Sequence, residues 1–481
     1  MRALAIDVGS SSVRTALVDD RGQVSTTHQQ SLGVRSTNPG EVELDPAEMA
    51  RITLELATRT LAEGGRGDVV GITNQRATTI VFDHASGEAV GPALSWQDLR
   101  TVLDCLVLQA EGLRLAPNQS ATKIKWLVEQ SARPAKDLRF ATVETWIAWH
   151  LSRGSTFATD RSNAGLTGLV NHDVTAWDEH VVAALGLDEV MLPRIADTMD
   201  SFGVASALAG SAPITALIGD QPASLFGQSC VTSGAKITFG TGAMLDVIHG
   251  GEAPAVLNRF ASGCYPIVAR SHEGTTTWGI EGIVLSAGSC VEWLRDLGLI
   301  RERHDSDQLA RSVSSSEGVS FVPALSGLGT PQWDFGARGA FFGLTRGSSG
   351  AHLVRAVLEG VAQRGADLLD AATAETGVEI AEIRIDGGMS ANRFFVQRLA
   401  DFSGHAVAVS SEREATTRGA GLMALVAAGH LSLDDVEGLW SPRYVATPSL
   451  SVDERLSTRR AWGEVVQRAQ RTIPELSTVS F

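Results

Sequence analysis

Two stretches of this chain share one pattern: an apolar run, a turn of glycine and hydroxyl residues, and a second apolar run. The first is residues 3–18, ALAIDVGSSSVRTALV, turning at Gly9 and the serines 10–12. The second is residues 236–248, KITFGTGAMLDVI, turning at Gly240-Thr241-Gly242. Each predicts a β-hairpin. They stand about half a chain apart, which predicts two domains built on one plan and facing one another. The 481 residues also exceed what one ordinary core accommodates. A glycine–hydroxyl turn lets backbone N–H groups approach an anion with no Cβ in the way. Each hairpin is therefore a candidate phosphate cradle.

Between and after the hairpins, strands alternate with helices, the pattern of an α/β protein. Asp45 caps an expected helix over 46–60, with Pro46 in its first turn. Val69–Thr73 and Thr79–Phe82 read as strands, and Ser95-Trp96-Gln97-Asp98 as the start of another element. Ala121–Glu129, 177–187 and Glu281–Leu297 read as helices, the last from the spacing of Val284, Leu285, Val291, Leu294 and Leu297. Residues 321–345 are Gly-rich and loop-like. A long helix is expected over Ala351–Ala372 and a strand over Ala381–Ile385. A helix opens near Ala391, and a small-residue helix suited to close packing covers Thr416–Gly429. Residues from His430 on carry no readable motif, and their last helix, Asp453–Gln470, is expected on the surface. The domain boundaries expected are 1–228, 229–430 and a tail, 431–481.

The composition excludes some functions. A net charge of −15 argues against nucleic acid or an anionic membrane as partner. Any phosphate ligand must be held by a local site. Cys105, Cys230, Cys264 and Cys290 form no Cys-x-x-Cys pair, which suggests neither a zinc site nor a disulfide framework. A cytoplasmic setting fits, with no leader and no membrane span expected. There is no Gly-x4-Gly-Lys-Ser/Thr loop and no third glycine after Gly240-Thr241-Gly242, where Leu245 stands. Both P-loop and dinucleotide templates therefore fail.

Four groups of residues could carry chemistry. Asp7 beside the Gly-Ser-Ser turn suits a Mg–phosphate complex, although a plain surface hairpin fits as well. Asp220 ends an apolar run in PITALIGDQPASLFGQ. It could be a catalytic base at a strand mouth or simply a helix N-cap. Arg76, just past a buried strand, could fork onto substrate hydroxyls or serve a structural ion pair. Trp96 is a stacking wall for a sugar face or a core residue. Asp386-Gly387-Gly388, leading to Asn392, allows a flat ligand such as adenine to lie against the backbone.

In their order these pieces resemble the FGGY family of carbohydrate kinases, within the actin, hexokinase and Hsp70 ATPase superfamily. The likeness runs from about Leu4 to Gly429. Residues 339–359, GAFFGLTRGSSGAHLVRAVLE, match the family's C-terminal signature. Ser120 and Lys123-Ile124-Lys125-Trp126-Leu127 match much of the N-terminal one. Within the family the pattern is most similar to glycerol kinases, through NQRATT at 74–79, WQDLRT at 96–101, GDQPASLFGQ, FGTGAM and SGLGTPQWD.

The resemblance implies two actin-like (ribonuclease H-like) domains with a catalytic cleft between them. It implies a kinase using ATP and Mg²⁺ on a small polyol or sugar, and leaves a homodimer open. Asp220 matches the general base and Asp7 the metal-associated acid. Ser10, Ser11 and Arg14 match the first phosphate hairpin, Gly240 and Thr241 the second. Gly288, Gly388 and Asn392 match positions lining the nucleotide. Arg76, Trp96, Asp220 and Gln221 match polyol contacts. Three pocket positions depart from glycerol kinases: Ala77 stands for Glu, Asn118 for Tyr and Met244 for Phe. These departures open the pocket and remove bonding partners, so the expected acceptor is a longer polyol or ketose. True glycerol kinase is the alternative. A non-catalytic, actin-like nucleotide switch is the alternative from another class.

Overall fold

The computed structural model describes residues 1–131 and 133–479. Its first sheet contains β1 (Arg2–Val8), β2 (Ser12–Asp19) and β3 (Val24–Ser31) as an antiparallel meander. Helix α1 (Pro46–Gly64) then leads to β4 (Val69–Asn74), which lies parallel to β1, and β5 (Ile214–Gly219) lies parallel to β4. The strand order is β5-β4-β1-β2-β3.

The second sheet repeats the plan. Helix α2 (Asp220–Gly227) leads into β6 (Ala235–Phe239) and β7 (Ala243–Gly250), the second predicted hairpin. A further hairpin, β8 (Tyr265–His272) and β9 (Thr275–Val284), adds β9 beside β7. Beyond α3 (Gly288–Asp296) and the long α4 (Gly350–Thr376), β10 (Glu382–Asp386) runs parallel to β6. After α5 (Arg393–Ser403), β11 (Ala406–Ser410) runs parallel to β10. Then come α6 (Ala415–Ala427), the edge strand β12 (Pro442–Ala446) and α7 (Val452–Ala469). In both sheets a meander continues into two parallel strands, as the paired hairpins implied.

Residue alternation explains which face each helix covers. On β1, Leu4, Ile6 and Val8 join the core under α1 with Met49, Ile52 and Leu56. Ala3 and Ala5 point the other way and pack with Leu422, Ala424 and Ala420 of α6. Helix α6 lies between β11 and β12 of the second sheet in the chain yet packs on the first. Its small residues make this possible: a Cβ at Gly419 would strike the Ala223 carbonyl of α2, and one at Gly227 the Ala415 carbonyl of α6. The alternation also puts Asp7 on the α6 face. The buried Arg418 clamps three distant segments, donating to the carbonyls of Gly22, Gly227 and Leu439.

Several expectations change. Glu281–Val284 is the end of β9, and the helix begins only at Gly288. Short apolar runs fit both periods, and here the strand pairing of Glu281 with Asp246 decides. Asp220 is the first residue of α2, whose cap position is Gly219, so it is not the N-cap. Residues 95–101 are turns before a helix at Val102–Ala110. Where residues 321–345 read as loop, two short strands fall at its two ends, Ser320–Val322 and Ala340–Phe342. In the region from 431 on, β12 extends the second sheet as its edge strand. Helix α7 buries Trp462 and Val466 against Val322 and Leu328. Asp45 does cap α1, accepting from the N–H groups of Ala47 and Glu48, an arrangement worth about 1 kcal/mol.

Candidate active site

The first hairpin turn is held by a closed ring of hydrogen bonds. Gln75, just beyond β4, donates through Nε2 to the Gly9 carbonyl at 3.2 Å. Thr78 Oγ1 donates to Gln75 Oε1 and accepts from the Trp96 N–H. The Trp96 indole Nε1 then donates to Ser10 Oγ at 3.0 Å. Trp96 is half-buried, and its bond to Ser10 ties it to the hairpin. Ser10 accepts through its oxygen and keeps its own proton to donate. Ser11 is exposed at the tip of the same turn.

Asp7 is buried beneath this turn. Its Oδ2 accepts from Thr417 Oγ1 of α6 at 3.2 Å and lies 3.5 Å from Arg14. Burial raises its pKa to about 6; Arg14 opposes that rise, and Asp220 adds to it. Arg14 is also paired with Glu414 and donates to Gln29. Its guanidinium is thus engaged by two carboxylates and an amide oxygen. Both contacts of Asp7 fall on Oδ2, which leaves Oδ1 for a hydrated cation. Among the described residues no cluster of three or more acidic, His or Cys side chains forms a metal site. A cation here would take Asp7 together with oxygens from the nucleotide and water, which suits Mg²⁺.

The ends of β4 and β5 bring Arg76 and Asp220 together. Arg76 Nε donates to Asp220 Oδ1 at 3.2 Å. The stem of Arg76 lies over Gly219, where any Cβ would collide with it. Asp220 Oδ1 also accepts from the Gln221 N–H at 2.8 Å, and the side chain remains 30% exposed. A carboxylate that is oriented yet reachable can accept a proton from an alcohol.

A residue missed in the sequence completes the cluster. Glu281, on β9 of the opposite sheet, accepts from Arg76 Nη2 at 2.5 Å, with both side chains nearly closed to solvent. Burial pushes the Glu281 pKa up to about 7; Arg76 opposes the shift, and Asp246 and Asp220 add to it. Arg76 Nη1 is buried without a partner in the described residues. The misreading of Glu281 as helical hid this residue, and only its strand register could have revealed it.

Of the remaining pocket positions, Ala77 is buried in a left-handed turn with φ 59°. Asn118 is exposed, and Met244 is half-buried on β7. Neither makes a hydrogen bond to the Arg76–Asp220 cluster among the described residues.

The positions expected to line a nucleotide converge on one cavity. Gly240, Thr241, Gly288, Gly388 and Asn392 line one cavity of about 400 Å³, with Phe239, Val291, Leu358 and Met389 as apolar walls. The start of α3 closes on the second hairpin turn. The N–H groups of Gly288 and Ala287 donate to the carbonyls of Gly240 and Thr241 at 2.9 and 2.8 Å. A Cβ at Gly288 would strike the Gly240 carbonyl, whereas at Gly388 the space is open. Asn392 caps α5 and also donates to Ser306 Oγ at 3.0 Å, so part of its role is structural. An apolar slot ending on a glycine turn accommodates a base at one end and phosphates at the other.

The FGGY carbohydrate kinase N-terminal domain profile matches residues 2–227, and the C-terminal domain profile matches residues 235–428. The chain is 37% identical to a glycerol kinase of Aromatoleum aromaticum, over 97% of this chain and 98% of that one. It is likewise 37% identical to a glycerol kinase of Deinococcus radiodurans, over 97% of each. Among solved structures, Plasmodium falciparum glycerol kinase with ADP superposes with a TM-score of 0.91 at 26% identity, covering 100% of this chain and 99% of that one. A ligand-bound xylulose kinase of Lactobacillus acidophilus shares the fold, with a TM-score of 0.86 at 19% identity over 97% of each. No helix among the described residues is long and apolar enough to cross a membrane. With both domain profiles matched across nearly the whole chain, the protein belongs to the FGGY family of carbohydrate kinases, phosphotransferases with an alcohol group as acceptor.

Proposed function

We propose that the chain transfers the γ-phosphoryl group of MgATP to a primary hydroxyl of a neutral polyol or ketose of about four to six carbons. The observation that carries this reading is the Arg76–Asp220 contact, a reachable carboxylate oriented at the strand mouth beside the Ser10 turn. In this scheme Asp220 orients the hydroxyl and takes its proton as the bond to phosphorus forms. Ser10, Ser11 and the Gly240-Thr241 turn donate to the phosphates. Gly288, Gly388 and Asn392 border the base. Mg²⁺ beside Asp7 would neutralise phosphate charge. Phosphoryl transfer of this kind gains mostly from positioning and charge stabilisation.

The charge balance supports a neutral acceptor. Around it stand two cations, Arg76 and Lys236, and three carboxylates, Asp220, Asp246 and Glu281. Both cations are already paired with carboxylates, so the cluster offers no surplus of positive charge to a sugar acid. The small Ala77 and the exposed Asn118 support a pocket longer than glycerol requires. Glycerol kinase itself is the second reading, favoured by the glycerol kinases that match along almost their full length. ADP release across glycerol, tetritols, pentitols, ketopentoses and hexoses separates the two. Glycerol as the best acceptor would refute the longer-acceptor reading, and no ADP release with any of them would refute the kinase scheme.

A further inference from the structure

One face of the second sheet carries a row of ionisable residues in register. Lys236 on β6 lies opposite Asp246 on β7, and Asp246 opposite Glu281 on β9. Directly opposed residues share a face, and this face looks across at the first turn of α2. Glu281 reaches Arg76 from it. Lys236 reaches Gln221: its Nζ lies 2.6 Å from Gln221 Oε1, 3.0 Å from Thr238 Oγ1 and 2.8 Å from Asp246 Oδ2. The Lys236 and Asp246 side chains are both fully closed to solvent. An ammonium bears three donors and no acceptor, so Gln221 must turn its carbonyl oxygen toward Lys236. Its Nε2 therefore faces away, and it makes no hydrogen bond to the described residues.

We infer that Lys236 is a positioning residue for the acceptor site, fixing the Gln221 carboxamide so that its N–H groups point at the acceptor. This rests on the reading of Gln221 as an acceptor contact. Without Lys236 the amide rotates freely between two presentations, only one of which donates. The bound acceptor must then offer an oxygen that accepts, either a hydroxyl oxygen or a ketone carbonyl. The second sheet thus sets the hydrogen-bonding pattern of a pocket whose polar contacts, Arg76, Trp96, Asp220 and Gln221, come from the first half of the chain.

The test is steady-state kinetics of Lys236→Met, with glycerol and D-xylulose as acceptor probes. Lys236→Met alone strands a buried Asp246 carboxylate, so Lys236→Met/Asp246→Leu is made in parallel to remove both charges together. The expected result is an acceptor KM raised about tenfold, the loss of one hydrogen bond to a charge-held group. The MgATP KM should stay within twofold. In a Gln221→Ala background the Lys236 substitution should add little, because both act through one amide. A purely structural lysine would instead shift both KM values together and add fully to Gln221→Ala. That outcome, or an unchanged acceptor KM in the double variant, overturns the inference while leaving the kinase scheme standing. A wild-type chain that phosphorylates neither probe nor any other polyol or sugar overturns both.

Discussion

Replacing Glu281 by Gln tests the ion pair that joins the two sheets. The amide oxygen can still accept from Arg76 Nη2, so geometry is retained and only charge is lost. Arg76 is buried, but Asp220 remains as a second carboxylate partner. The loss should therefore be the difference between a charge-assisted and a neutral hydrogen bond, about 1–1.5 kcal/mol, rather than that of a wholly stranded cation. Expressed through Arg76, that is a fall of roughly 5- to 12-fold in kcat/KM for the acceptor. The pH dependence sharpens the test. Burial pushes the Glu281 carboxyl up to about 7, so it takes up a proton, and the pair loses its negative partner, as pH falls through that value. Acceptor kcat/KM should fall as pH drops through 7, and Glu281→Gln should lack that inflection. Stability runs the other way. The folded state holds the Glu281 proton more tightly than the unfolded chain, whose carboxyl titrates near 4.5. Between about 4.5 and 7 the native state binds more protons, so this group's contribution is full below that window and lost as pH rises through it. The assay is initial ADP release at saturating MgATP over pH 5.5–9, with thermal midpoints measured alongside. An unchanged acceptor kcat/KM at pH 8, or the same inflection in the variant, would refute the reasoning.

Three further outcomes are expected. Asp220→Asn keeps an Oδ1 that accepts from Arg76 and Gln221, so nucleotide affinity should persist while kcat drops about 10²- to 10⁴-fold; near-normal turnover excludes Asp220 as base. Ala77→Glu should raise kcat/KM for glycerol about tenfold relative to the best longer polyol, measured in paired progress curves; an unchanged ratio removes Ala77 from the pocket argument. Glu144 is buried, with its pKa raised to about 8 by burial and then by Asp160, against hydrogen bonds from Thr142 and Thr159. Its folded value exceeds the unfolded 4.5, so stability is lost as pH rises through 8. Glu144→Gln should melt higher than wild type at pH 9 and near wild type at pH 5; equal midpoints at pH 9 contradict it.

Much of the architecture is legible without coordinates because its signals are local. The Gly9 and Gly240 turns announce both hairpins, Asp45-Pro46 marks the start of α1, and the small residues of 416–429 announce a helix built for close contact. The glycines proposed to line the nucleotide are readable for the same reason: a turn that must approach another backbone tolerates no side chain, and that constraint is written in residue type. What the order of residues determines by itself is therefore the repeated plan, the family, and the chemistry available at each strand end.

Tertiary structure alone decides which charges meet. Thr417 bonds Asp7 across 410 positions, and Glu281 meets Arg76 across 205. Nothing local to either partner encodes such a pair. Glu281 shows the limit most directly: Val284, Leu285, Val291 and Leu294 fit a helical spacing, yet β-pairing of Glu281 with Asp246 and of Val284 with Ala243 holds the start of this stretch in a strand. That pairing turns Glu281 toward the cleft. Lys236 is similarly mute in sequence, one lysine in an apolar strand, until the sheet aligns it with Asp246 and the fold sets Gln221 against it. Periodicity reports which face of an element is buried. Which partner waits across that face depends on how two sheets are apposed, and that is fixed only when the whole chain has packed.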